Sequence, residues 1–278
     1  MTIVDEIERL VELFEEIEKY IMQMVANIIM TNPGSHSLVY WKRRAQGVHV
    51  ELESLRKDLL KVTPDVVQHS YAAGYVTGGA PHAAGVATQG INARAIALLA
   101  AGMNDRLDAS LATVGRRVDD TFRRAGLKAA ALHAATGTAH MNARKQMMRD
   151  LQRQGVGAFV DKAGRTWTLN NYTEMVIRTT TREAMCQGSF QSMEDHGTEV
   201  VKISHHESAK KCKICAPLDG KVFAMPNAPD SVKAMYPTLE RIPPFHPRCK
   251  HSIGPASNTF DTIMQQLEDQ YGGELASV

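Results

Sequence analysis

Between Ile3 and Ile28 the apolar positions Ile3, Ile7, Leu10, Phe14, Ile17, Ile21, Met24 and Ile28 advance in alternating steps of four and three. That spacing is an a/d heptad pattern and predicts one long amphipathic helix. Val4, Val11, Leu13, Tyr20, Val25 and Ile29 widen the apolar stripe. Two readings stay open: a coiled coil that joins copies of this chain or a partner helix, and a bundle helix lying on its own core. The stretch Thr31–Ser37, TNPGSHS, predicts the stop, because Asn-Pro-Gly cannot continue a helix. Over 38–62 the positions Leu38, Trp41, Val48, Leu52, Leu55 and Leu59 predict a second helix. Pro64 is read as its end, with a short helix over 64–73. Gly74–Gly85 is read as a flexible connector, and it lacks the Gly-Lys-Ser/Thr of a phosphate loop. Residues 91–150 predict two or three helices with breaks near Gly126 and Gly137.

The pattern then changes. Phe159–Leu169 reads as a hairpin of two short strands around Asp-Lys-Ala-Gly. Asn170–Gly197 reads as a helix capped by an Asn and closed by a Gly. Glu199–His205 reads as a strand, and loops with short strands follow to about Pro255. Phe260–Tyr271 reads as a short amphipathic helix before a small-residue tail. The fold class expected is α+β: a mainly helical N-terminal half, then a small α+β domain held by zinc. The expected divisions are 1–31, 32–154, 155–255 and 256–278.

Charge adds contrast rather than a global field. The net charge over 278 residues is only +2. Residues 1–30 nevertheless carry seven acids against Arg9 and Lys19, and residues 111–170 carry eleven Lys/Arg against four acids. The pairs Arg116–Arg117 and Arg123–Arg124 share part of a helix face, suited either to phosphate contact or to salt bridges with Asp119 and Asp120. The acidic N-terminus lacks the basic region of a signal peptide, and Ile21–Met30 is too short and too polar to span a bilayer. The expectation is synthesis in a reducing cytoplasm with no membrane partner. Cysteines there serve as metal ligands or reactive thiols rather than as disulfides.

Three of the four cysteines lie near histidines. Cys212-x-x-Cys215 has the spacing of a metal knuckle, and His246-x-x-Cys249-x-His251 offers a second half-site. Two thiolates with a third thiolate or an imidazole suit Zn²⁺. Five candidates compete for four positions: the set preferred here is Cys212, Cys215, His246 and Cys249, with His251 as the substitute. A redox CxxC fits less well, since Pro217 opposes a helix starting after Cys215. Cys186, in a predicted helix, reads as an ordinary buried thiol. A hydrolytic zinc would need an open position and a nearby acid or base, for which Glu207, Asp219, His205 and His206 are candidates. No HExxH and no deaminase pattern is present. Four protein ligands favour a closed, structural site, and a metal-dependent nuclease is the alternative.

Beyond these spacings, the segments GVGAFVDKAGRTWTLNNYTEMVIRTTTREA, VVKISHHESAKKCKICAPLDGKVF and YPTLERIPPFHPRCKHSI, taken together, resemble the minor capsid protein 2 family of tailed bacteriophages, akin to phage minor head proteins. The marks are the D-x-x-G-R-x-W-x-L hairpin, the Arg-Thr helix, His-x-x-S before the CxxC, and the HPxCxH close. The resemblance implies a structural protein of the phage head, associated with portal or major capsid protein and acting in head assembly or genome delivery. It implies structural zinc on Cys212, Cys215, His246, Cys249 and His251, with no catalytic residues. Related head proteins often carry Cys where His251 stands. On this reading Arg178, Thr179 and Glu183 are expected to brace the zinc domain and the basic 111–170 region to face packaged DNA, while self-association of the N-terminal helix is what the coiled-coil reading of its heptads predicts.

Overall fold

The computed structural model describes residues 3–31, 38–79, 92–136, 159–160, 164–206 and 212–257. Its elements are α1 (Ile3–Thr31), α2 (Leu38–Gly78), α3 (Ala93–Thr136), β1 (Phe159–Val160), β2 (Thr166–Trp167), α4 (Leu169–Asp195), β3 (Val200–Ile203), β4 (Val222–Ala224), α5 (Asp230–Lys233) and β5 (Ile253–Pro255). The α+β class is as expected. Two compact units interleave along the chain. A helical unit takes Glu8–Thr63 and Gly102–Val176, and a sheet unit takes Met1–Ile7, Pro64–Ala101 and Ile177–Val278.

In the helical unit the stripe of α1 is buried at Leu10, Val11, Phe14, Ile17, Ile21 and Val25. The stripe drifts from Met24 to Val25, as a 3.6-residue period requires of a straight helix. It is covered within this one chain, which is the bundle reading of the pattern. Each large apolar side chain so buried stabilises the fold by about 1.5–3 kcal/mol. Val48, Leu52 and Leu59 of α2, with Met103, Leu107, Leu111, Val114, Val118 and Phe122 of α3, extend this core. The two helices run antiparallel, because their polar rungs pair in reverse order. His49 Nε2 meets Asp119 at 3.0 Å, Arg56 meets Asp108 with two 2.8 Å bonds, and Thr63 donates to Asn104. Asp119 thus pairs with His49, where a partner among the neighbouring arginines was expected. The short β1–β2 hairpin pairs Phe159 with Trp167 and Val160 with Thr166, as its pattern predicts.

Two expected breaks are absent and a third is displaced. α2 runs unbroken through Pro64, although a proline removes one helical N–H and crowds the carbonyl four residues back. Thr63, Val66 and Val67 flank it and are fully buried, so packing overrides the local breaker. α3 likewise runs through Gly126, since an interior glycine costs only about 1 kcal/mol against alanine. The connector expected from Gly74 starts later, because α2 continues to Gly78. The Thr31–Ser37 stop beyond Thr31, residues 80–85 of the connector, the Gly137 break and the Phe260–Tyr271 helix lie outside the described residues, as do the side chains of Leu38 and Trp41.

Inside the sheet unit, Gly74 and Gly78 of α2 meet α4. A Cβ added to Gly74 would come closer than 3.0 Å to the Met185 carbonyl, and one on Gly78 closer than that to Ser189. One on Gly188 of α4 would strike the Tyr71 carbonyl. The two backbones therefore approach as only glycine allows.

The sheet orders β4-β3-β5, all antiparallel, with Val201 opposite Phe223 and Pro255, and Ile203 opposite Ile253. Val201 and Ile203 point to a core with Cys186 and Met193 of α4, Phe223, Met225, Val232, Leu239 and Ile253. α4 begins with the Asn171 N–H on the Thr168 hydroxyl, so Thr168 and not Asn170 caps it. It ends in a Schellman turn: Thr198 N–H reaches Met193 O at 2.8 Å, Gly197 N–H reaches Glu194 O at 3.1 Å, and Gly197 has φ +67°.

Candidate metal centre

One face of α4 holds the second half-site. Thr179 Oγ1 accepts the Arg248 N–H at 3.2 Å, Arg182 donates to Ser252 Oγ at 2.9 Å, the Cys186 thiol faces the His251 carbonyl at 3.8 Å, and Ser189 donates to the Ile253 carbonyl at 2.8 Å. Residues 179, 182, 186 and 189 follow helical steps of three and four, so they line one face. Of the bracing residues expected on α4, Thr179 is on this face. Arg182 and Ser189 complete it and were not singled out from sequence. Loss of the buried Ser189 bond leaves the Ile253 carbonyl without that partner. Ser189→Ala is therefore expected to lower stability by about 1 kcal/mol in urea unfolding.

The first half-site is a tight turn. Ala216 N–H bonds Cys212 O at 2.9 Å, and Leu218 and Asp219 N–H bond Cys215 O at 2.8 and 2.9 Å. This winds Cys212 and Cys215 onto one side. In the second half-site Cys249 N–H bonds His246 O at 3.1 Å.

The two half-sites converge. His246 Nε2 lies 3.0 Å from Cys215 Sγ and 3.4 Å from Cys212 Sγ. Cys215 Sγ is 3.8 Å from Cys249 Sγ, and Cys249 Sγ is 3.6 Å from His251 Nδ1. All five expected residues thus fall into two groups that could hold a metal ion, Cys212–Cys215–His246 and Cys215–Cys249–His251, with Cys215 common to both. Zn–S bonds of about 2.3 Å imply a tetrahedral S···S edge of about 3.8 Å, and mixed S···N edges of about 3.5 Å. The donor types fit such an ion, and the 3.8, 3.6 and 3.4 Å separations match those edges, while the Cys215–His246 contact of 3.0 Å is shorter. Cys186 stays outside both groups; burial pushes its thiol up to about 12, in keeping with an inert core residue.

Charge explains why a cation suits the cluster. Burial, with the neighbouring Cys249 and Cys212, holds the Cys215 thiol above its ordinary value. Backbone N–H groups at Cys215 and Ile214 lower Cys212. Burial opposes ionisation of Cys249 as well, but the His251 ring and backbone N–H groups outweigh it and bring the thiol to about 6. One thiolate thus penalises the next, and a divalent cation among them removes that conflict.

Both imidazoles have a far nitrogen in use. His246 Nδ1 donates to the Pro247 carbonyl at 2.7 Å, and His251 Nε2 lies 2.9 Å from Asp219 Oδ1. Of the groups considered for hydrolysis, Asp219 is engaged on both oxygens: Oδ1 also accepts the His206 N–H at 2.8 Å, and Oδ2 accepts from His205 Nδ1 at 2.6 Å. His206 is buried, its Nε2 3.0 Å from Ser204 Oγ. Glu207 lies outside the described residues. No helix among the described residues is long and apolar enough to cross a membrane.

A stretch of 81 residues is 32% identical to a protein named "Structural protein" from Lactococcus phage LL-H, covering 29% of this chain and 21% of that relative. The chain therefore spans about a fifth of the length of the curated relative it matches. No solved structure matches the chain significantly. The family described as phage minor capsid protein 2 matches residues 3–258, from the first turn of α1 to just past β5. That match takes in the helices, the sheet and every thiol and imidazole of the centre, and on it the chain belongs to the phage minor capsid protein 2 family.

Proposed function

We propose that this minor capsid protein resides in the phage head, docks on portal or on the inner face of the major capsid protein, and acts in head assembly or genome delivery. Its sheet unit is closed by one structural zinc ion. Cys212, Cys215 and Cys249 supply three ligands, and one of His246 and His251 supplies the fourth. The observation that carries this reading is the cluster itself: three thiols and two imidazoles, mostly buried, in two triads that share Cys215. Such a donor set is closed, and a closed site stabilises rather than hydrolyses. Zinc would supply folding energy here by tying the turn at 212–220 to the turn at 246–251.

The heptad stripe of α1 is buried within the chain. Self-association through α1 would therefore have to use its other face, where Tyr20 is 46% exposed. Contact with packaged DNA is proposed for the basic 111–170 stretch, of which the exposed Arg116, Arg123, Arg124 and Arg165 are described.

The test is chemical cross-linking of purified heads followed by peptide mapping. Cross-links from this chain to portal or major capsid protein are expected. Heads that lack the chain altogether would overturn the reading. Metal-dependent cleavage of duplex DNA by the purified protein would favour the nuclease alternative instead.

A further inference from the structure

We propose that Asp219 is the positioning carboxylate of the metal centre, and that it makes His251 the fourth ligand by holding the ring with Nδ1 toward the thiols. This rests on the zinc reading above. Asp219 belongs to the same turn as the Cys215 thiol, through its N–H on the Cys215 carbonyl at 2.9 Å, so its place relative to that ligand is fixed. Its carboxylate is nearly buried, with 10% of the side chain exposed. A carboxylate only accepts, so the 2.9 Å contact places a proton on His251 Nε2. In the neutral ring the lone pair is then on Nδ1, which lies 3.6 Å from Cys249 Sγ in the group with Cys215.

The other oxygen contacts keep the carboxylate from turning. Oδ1 also receives the His206 N–H, and Oδ2 receives His205 Nδ1, so Asp219 is clamped to the end of β3. The rival imidazole is held differently: His246 relies on the carbonyl of its own neighbour, Pro247, and is half-exposed where His251 is buried. A carboxylate behind an imidazole raises its basicity as a ligand and fixes its tautomer, and losing such a partner typically weakens metal binding by about 10–100-fold.

The test uses cobalt(II) in place of zinc on the metal-stripped full chain. It reads affinity by chelator competition and ligand identity from the visible d–d bands. Wild type is expected to take up one cobalt in a tetrahedral site. Asp219→Ala is expected to bind about 10–100-fold more weakly with altered bands. Asp219→Asn, which keeps an acceptor oxygen, should recover part of the loss. In a His251→Ala background, Asp219→Ala should add nothing further, since the two act as one unit. Nitrogen-15 spectra of the His251 ring should show Nδ1 on the metal and the proton on Nε2. Should Asp219→Ala fail to fold, the same cycle is run with Asp219→Asn. Unchanged affinity and bands in the Asp219 variants, or losses that add fully with those of His251→Ala, overturn the proposal while leaving the zinc reading standing. A wild type that takes up no cobalt overturns both.

Discussion

Cys215→Ser is expected to empty the metal centre and unfold the sheet unit around it. Cys215 is the one donor common to both ligand groups, and it is 2% exposed. Serine offers no soft thiolate, so neither group retains enough donors for a tetrahedral ion. The loss is not confined to one bond. The segment between the half-sites, residues 216–245, carries short β4 and the single-turn helix α5. Structural zinc in small domains contributes about 10–16 kcal/mol of binding free energy at neutral pH, as much as the whole stability of a typical domain. Metal analysis by mass spectrometry should therefore show about one zinc per chain in wild type and none in the variant. Thermal melts should show the sheet-unit transition lost while the helical unit still melts. Stripping wild type with a chelator should reproduce the variant. A variant with a full zinc complement and an unchanged melt would remove the structural role.

Gly188→Ala and Gly74→Leu are each expected to cost about 3 kcal/mol or more, a large share of the margin of stability. The reason is steric. At both positions the atom a side chain would strike is a backbone carbonyl of the opposite helix: Met185 for Gly74 and Tyr71 for Gly188. Backbone cannot swing aside as a lysine tip can, so the helices must part and the contacts of α4 with β5 shift with them. Gly47→Ala makes the control, because a Cβ there meets nothing within 4 Å and alanine favours helix. Urea unfolding should show midpoints well below wild type for the first two and at or above it for the control. Equal midpoints for all three would mean that α2 and α4 do not cross closely.

The same glycines show where sequence patterns stop being informative. α1 was legible because eight apolar positions repeat at steps of three and four, and β3 because Val200, Val201 and Ile203 form a short β-branched run. Gly74 and Gly78 resemble a loop because a close backbone approach leaves no side chain to announce it. Pro64 resembles a terminus because the packing of Thr63, Val66 and Val67 that overrides it is not local. The five metal-ligand candidates were legible from spacing alone. The contact of Asp219 with His251 was not, since the two lie 32 residues apart and no local motif joins them. On α4, Thr179 was picked out, but Arg182 and Ser189 were not, because a face shared with residues 248–253 exists only after the fold closes.

The strand order β4-β3-β5 also dictates when this unit can form. β3 sits at the centre, yet its two neighbours follow it by about twenty and about fifty residues. During synthesis β3 emerges with both edges unpaired, and contacts at such long separation close slowly. Cys212 and Cys215 leave the ribosome before His246, Cys249 and His251, so the first half-site waits open until the second arrives. On the zinc reading, ion capture would be a late event that seals an assembled sheet, and the interval before it would be when the chain is most exposed to mispairing with its sister copies.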